Sequence, residues 1–159
     1  MLNSHGGQIA VMDIVARDLR VKHKMLCVAA NWFAMGLPEG LLTPDEDRFG
    51  IHAGDMETSV MLALHPELVQ MDQARDFTPN NATLARGNQH LGLSIAGKIG
   101  WQMQDINAAG AAGNATTATA EKGRVFIDHA ARQIVTLLQE VQRLPISWLD
   151  TTANPDAFA

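Results

Sequence analysis

Residues 25–33, "MLCVAANWF", form an apolar run broken by a single polar side chain, Asn31. A run of that length without alternation is the pattern of a strand covered on both faces, and such strands belong to parallel sheets. The segment ahead of it, "QIAVMDIVARDLR" at 8–20, sets Ile9, Met12, Ala16 and Leu19 at three- and four-residue spacing. It leaves Asp13, Arg17 and Arg20 for water, which predicts a helix. A helix leading into a doubly buried strand is the grammar of a parallel α/β fold. In such folds the loop before the helix leaves the carboxyl end of a strand. Here only residues 1–4 stand in for that strand, so an N-terminally incomplete, mostly parallel sheet is expected. At 159 residues the chain suits one domain, read as 1–150, with 151–159 as a loose tail.

Downstream, residues 36–54 hold two prolines and four glycines and read as a long loop, with Asp45, Glu46 and Asp47 as its solvated charge run. Asp55 is the expected N-cap of a helix through "METSVMLALH", with Glu57 in its first turn and Pro66 at its end. Residues 67–97 show no sustained period beyond a turn signal at "TPNN". A short strand is expected around "KIGWQMQDI" (98–106), then an ordered small-residue loop, "NAAGAAGNATTATA" (107–120). A long helix follows from Thr119 to Arg143, with Ile127, Ala130, Ala131, Ile134, Leu138 and Val141 on its apolar face, and Pro145 stops it.

Charge and cysteine content exclude several partners. Twelve basic against seventeen acidic residues give a net charge of −5, and no Lys/Arg run forms a stripe, so neither nucleic acid nor an anionic membrane is expected as a partner. Cys27, the single cysteine, lies inside the apolar run and reads as an inert thiol. There is no basic segment followed by an apolar stretch, and no apolar run approaches the ~20 residues of a membrane span, so a cytoplasmic location is expected.

Two sites carry chemistry-bearing residues: His5 in "NSHGGQ", and His52 with Glu57 in "HAGDMETS". Gly6 and Gly7 let backbone approach a ligand, and a carboxylate in the first turn of a helix is held ionised by the dipole. Imidazole and carboxylate are ordinary zinc ligands. The same residues also suit plain structural roles, His5 capping a turn and Glu57 complementing its helix. Trp32 reads equally as a pocket wall or a core side chain. His23, His65 and His129 read as solvated or capping residues, while His90 could approach a site.

In content and order these segments resemble the creatininase family of metal-dependent amidohydrolases. "NSHGGQ" is similar to its "NGHGGN" signature, and "HAGDMETSVMLALHPELV" to its "HAGxxETSxML…P(D/E)LV" segment. "AAGNATTATAEKG" is similar to its segment ahead of the last long helix, and "NWF" sits where members carry an Asn-Trp pair. The resemblance implies a three-layer α/β/α sandwich. It also implies a dinuclear centre of zinc with zinc, manganese or iron, in a homo-oligomer that hydrolyses cyclic or other non-peptide amide C–N bonds. By motif, His5 and Glu57 match metal ligands, His52 a proton donor to the leaving nitrogen, and Gly6, Gly7 and Trp32 a substrate pocket. Gly7 stands where creatininase proper carries a ligand glutamate, which argues against creatinine itself as substrate. Members also carry an upstream Glu-x-His pair and an Asp that supply most of the ligands. Three expectations follow: a shortened amidohydrolase, one half of a split enzyme completed by a separate chain, or a non-catalytic oligomerising scaffold.

Overall fold

The computed structural model describes residues 1–93 and 96–149; the expected tail at 151–159 lies outside them. In chain order the elements are β1 (Leu2–Asn3), α1 (Ile9–His23), β2 (Ala30–Asn31), α2 (Pro44–Phe49), α3 (Asp55–Leu64) and β3 (Asp76–Phe77). They continue with α4 (Asn81–Gly87), β4 (Leu91–Gly92), β5 (Gly97–Lys98), α5 (Met103–Ile106), β6 (Gly113–Asn114) and α6 (Ala120–Arg143). The strands make three two-stranded pairs: β1–β2 and β4–β5 parallel, β3–β6 antiparallel. The chain forms two compact units, one of Met1–Leu37 with the chain from His129 on, the other of Pro38–Asp128. Among the described residues no helix is long and apolar enough to cross a membrane.

The first unit contains the expected order of strand, helix and parallel strand. β1 pairs with β2 in the register Leu2↔Ala30 and Asn3↔Asn31, and the amino terminus of Met1 donates to Val28 O at 2.7 Å. α1 runs to His23 and stops where Lys24 turns left-handed (φ 54), its N–H returning to Arg20 O. Two expectations need correction. The doubly covered strand over 25–33 shrinks to Ala30–Asn31, with Met25 48% exposed, because a strand extends only as far as its partner and β1 offers two residues. The inward stripe of α1 is also incomplete. Met12, Ala16 and Leu19 are half-buried, but Ile9 is exposed, and Val11 and Ile14 are 61% and 66% exposed.

The second unit is built on small residues. Ala111, Ala112, Ala115 and Ala118 are buried with Ile106 and Phe126, so the 107–120 segment is an ordered loop, as its composition suggested. Small side chains let backbone segments close on each other. A Cβ on Gly123 of α6 would run into the Ser59 carbonyl of α3, so only glycine permits that approach. Thr119 caps α6, its Oγ1 accepting from Lys122 N at 3.2 Å. The apolar face of α6 is narrower than expected. Phe126 and Ala130 are buried and Ile127, Ile134 and Val141 half-buried, whereas Ala131 and Leu138 turn outward.

Four local expectations are also corrected. The 36–54 loop contains α2, nucleated by Thr43, whose Oγ1 accepts from Glu46 N, with Pro44 opening the helix. The N-cap of α3 is Gly54, and Asp55 is its first helical residue. In the 98–106 segment only Lys98 is in a strand; 103–106 is α5, opened by a capping box between Gln102 and Asp105. The unreadable 67–97 stretch supplies β3, which pairs Asp76 with Asn114 and Phe77 with Gly113.

Candidate active site

His52 and Glu57 come together across one tight turn. An antiparallel bridge sets the backbone first: Ile51 N donates to Ala112 O, and Ala112 N to His52 O, both at 2.8 Å. Ala53 then takes a left-handed φ of 54°, a conformation costing about 1–2 kcal/mol for a residue with a Cβ. That turn aims Ala53 N at Glu57 Oε2 (2.9 Å), while Glu57 Oε1 lies 3.2 Å from His52 Nδ1. The side chains are 35% and 44% exposed, so the pair is open to a ligand. Glu57 sits in the first turn of α3, where the helix dipole favours its negative charge.

Behind this turn lies a buried polar network that ties "HAGDMETS" to "AAGNATTATAEKG". Asp55 is 2% exposed. Its Oδ1 accepts from Ser59 Oγ (3.1 Å), and its Oδ2 from Thr117 Oγ1 (2.7 Å) and Lys122 Nζ (2.5 Å). Lys122 also donates to Thr117 O, and Thr119 N donates to Ser59 Oγ. A buried carboxylate stays charged only where donors reach it, and three side chains donate to Asp55.

Glu46 completes the support and corrects the expected solvated charge run. Its Oε1 accepts from Asp55 N at 2.6 Å and its Oε2 from Asn114 N at 2.7 Å. Asp45 and Asp47, its neighbours, do face solvent.

The first unit holds the other candidates. His5 follows β1 in extended conformation and caps the 3-10 turn of Gly6–Gln8. Asn3, 3% exposed, frames this loop: its Nδ2 donates to His5 O and to Asn31 Oδ1, and its Oδ1 accepts from His5 N. A Cβ on Gly7 would come within 3.0 Å of His5 Nε2, so this glycine makes room for the imidazole, whereas Gly6 faces open space. Trp32 opens a 3-10 turn and is half-buried. Thus His52 meets Glu57 in one unit, while His5, Gly6, Gly7 and Trp32 belong to the other.

Of the remaining histidines, His23 and His90 are exposed, and His65 ends α3 with Nδ1 3.2 Å from Glu67 Oε1. His129 corrects the expectation of a solvated side chain: its Nε2 is buried without a hydrogen-bond partner among the described residues, on the α6 stripe that carries Phe126 and Ala130. Catalytic zinc takes three protein ligands plus water. Among the described residues no group of three His, Cys, Asp or Glu side chains is placed to hold a metal.

Residues 1–138, which include every candidate above, match the family model described as Creatininase: Creatinine amidohydrolase. The chain belongs to the creatininase family. It is 32% identical over 123 residues to a mycofactocin precursor peptide peptidase of Mycobacterium ulcerans (strain Agy99), covering 77% of this chain and 40% of the relative. A putative creatinine amidohydrolase from Bacteroides fragilis NCTC 9343 shares the fold with a TM-score of 0.70 and 28% identity, over 91% of this chain and 53% of that one. A manganese creatininase is also similar in fold (TM-score 0.54, 22% identity, 84% of this chain and 50% of that one). So is a zinc–zinc form of a mutant creatininase (0.55, 21%, 84% and 50%). The α/β architecture is therefore that of creatininases, and the chain spans about half the length of the solved relatives and 40% of the curated one.

Proposed function

We propose that this chain contributes the His52–Glu57 pair to an amidohydrolase that cleaves a cyclic or other non-peptide amide C–N bond. The observation that carries the reading is the Nδ1 contact of His52 with Glu57 in a family-matching, solvent-open turn. Hydrolysis adds the hydroxyl of water to the carbonyl carbon and sends a proton to the departing nitrogen. Imidazole changes charge near neutral pH and suits that transfer. With Nδ1–H donated to Glu57, the ring is fixed in one tautomer and its other nitrogen exchanges the proton. Glu57 here orients His52. A peptide C–N bond is the second reading, favoured by the 32% identity to a precursor peptide peptidase.

His5 and Glu57 remain the side chains with donor atoms suited to zinc or manganese, and a complete centre needs donors beyond the described groups, from a further segment or a partner chain. The purified chain, dialysed and analysed for metal, is expected to keep well under one equivalent; about two per chain would overturn this donor count. The functional test uses the chain tagged and isolated from its own cells, so that any completing polypeptide comes with it. Liberation of the amide nitrogen as an amino group, free or tethered after ring opening, is followed across cyclic amides, formamides and short peptides. His52→Ala is expected to lower release by about 10²-fold or more. Absence of release, or release indifferent to His52→Ala, sinks the proposal.

A further inference from the structure

We infer that Glu46 is a positioning residue for His52, acting through the backbone turn that joins it to Glu57; the inference rests on the proposed role of His52. The N-cap of α3 is Gly54, which has no side chain with which to satisfy the first amides of the helix. Glu46 does so from outside, nine residues upstream, by accepting Asp55 N on Oε1. Its second oxygen accepts Asn114 N, 68 residues downstream. One carboxylate therefore ties the start of α3 to the 107–120 loop, the same loop that bridges His52 through Ala112.

The glycines show how closely the carboxylate is enclosed. A Cβ on Gly54 would strike Glu46 Oε1, and one on Gly113 (φ +139) would lie 2.7 Å from Oε1 and 3.0 Å from Oε2. The glycines of "HAGD" and "AAGN" thus make space for Glu46. With the backbone held at His52 by Ala112 and at Asp55 by Glu46, Ala53 is confined to its left-handed conformation and presents its N–H to Glu57. Loss of either hold frees Ala53 to relax, and Glu57 then loses one of the two groups that keep it facing His52.

Glu46→Gln keeps the size but has one acceptor oxygen and an NH2 that opposes an N–H, so only one of the two ties survives. The chain, isotopically labelled, is compared as wild type, Glu46→Gln and Asp47→Asn by NMR. In Glu46→Gln the Ala53 amide is expected to exchange about tenfold faster or more, and the His52 ring signals to shift. The Phe126 and Ala130 amides stay unchanged, and Asp47→Asn moves none of these signals. In the tagged preparation, Glu46→Gln lowers kcat about tenfold or more while KM stays within about twofold. Unchanged Ala53 exchange and His52 signals overturn the positioning role whatever the activity does. Shifted His52 signals with full turnover uphold the positioning and refute the proposed role of His52. Should Glu46→Gln not fold, Glu57→Gln gives the converse reading: Asp55 and Asn114 amides stay protected if Glu46 acts independently of the pair, and their loss of protection overturns the inference.

Discussion

The two units treat their candidate residues differently. In Pro38–Asp128 the His52–Glu57 turn rests on a polar network, buried Asp55 with Lys122 and half-buried Glu46 with two amides, set among small side chains that let backbones close on one another. In the unit of Met1–Leu37 and the chain after Asp128, the His5 loop is framed by two asparagines, and large apolar side chains of its helices stand at the surface: Val11, Ile14 and Leu138 at 60% exposure or more. The contrast teaches that a site can be held by polar pairing over a modest core, whereas apolar helix faces without a cover hold little. Burial stabilises by roughly 25 cal/mol per Å² of apolar surface removed from water, and exposed residues forgo it.

Substitutions can break or sharpen that contrast. The largest effect is expected from Phe126→Ala, which empties a fully buried ring position and should cost about 3–5 kcal/mol in chemical denaturation; a cost near zero would mean that the second unit has no working core. Lys122→Met leaves Asp55 as an unpaired buried charge, and a loss of about 3 kcal/mol is expected, with the His52 ring signals shifting as α3 loosens. If stability instead holds or rises, the network serves geometry alone. Asn3→Ala removes the polar frame of His5 and should cost about 1–3 kcal/mol, read as a drop of a few degrees in Tm. Smallest of all, Ile14→Glu should change stability by no more than about 0.5 kcal/mol. A loss of several kcal/mol there would show that this face is covered in solution and would erase the contrast.

Much of the helical framework is readable in the residues. α1 and α6 follow from apolar spacing and end signals within a few residues, and Thr119 and Pro145 mark α6 on either side. α2 also had a signal, "TPDE", in which Thr43 caps and Pro44 opens, but the surrounding glycines and prolines masked it. The strand is shorter than the 25–33 run because an apolar run reports what a segment can bury and says nothing of whether a partner lies beside it. His129 is illegible in the sequence because a polar residue on a long helix looks solvated until the buried stripe is located.

Local composition was enough to specify α1, α3 and α6, the small-residue loop before α6, and the ordered motifs that mark the chain as a creatininase-family member. Which carboxylates face water was decided by the tertiary structure alone. Asp45, Glu46 and Asp47 are indistinguishable as a charge run, and Asp55 looks like any N-cap. Yet Glu46 finds its amide 68 residues away and Asp55 its lysine 67 residues away. Spacing along a helix or strand encodes neighbours a few residues apart; a carboxylate stays buried only where the fold brings a donor to it.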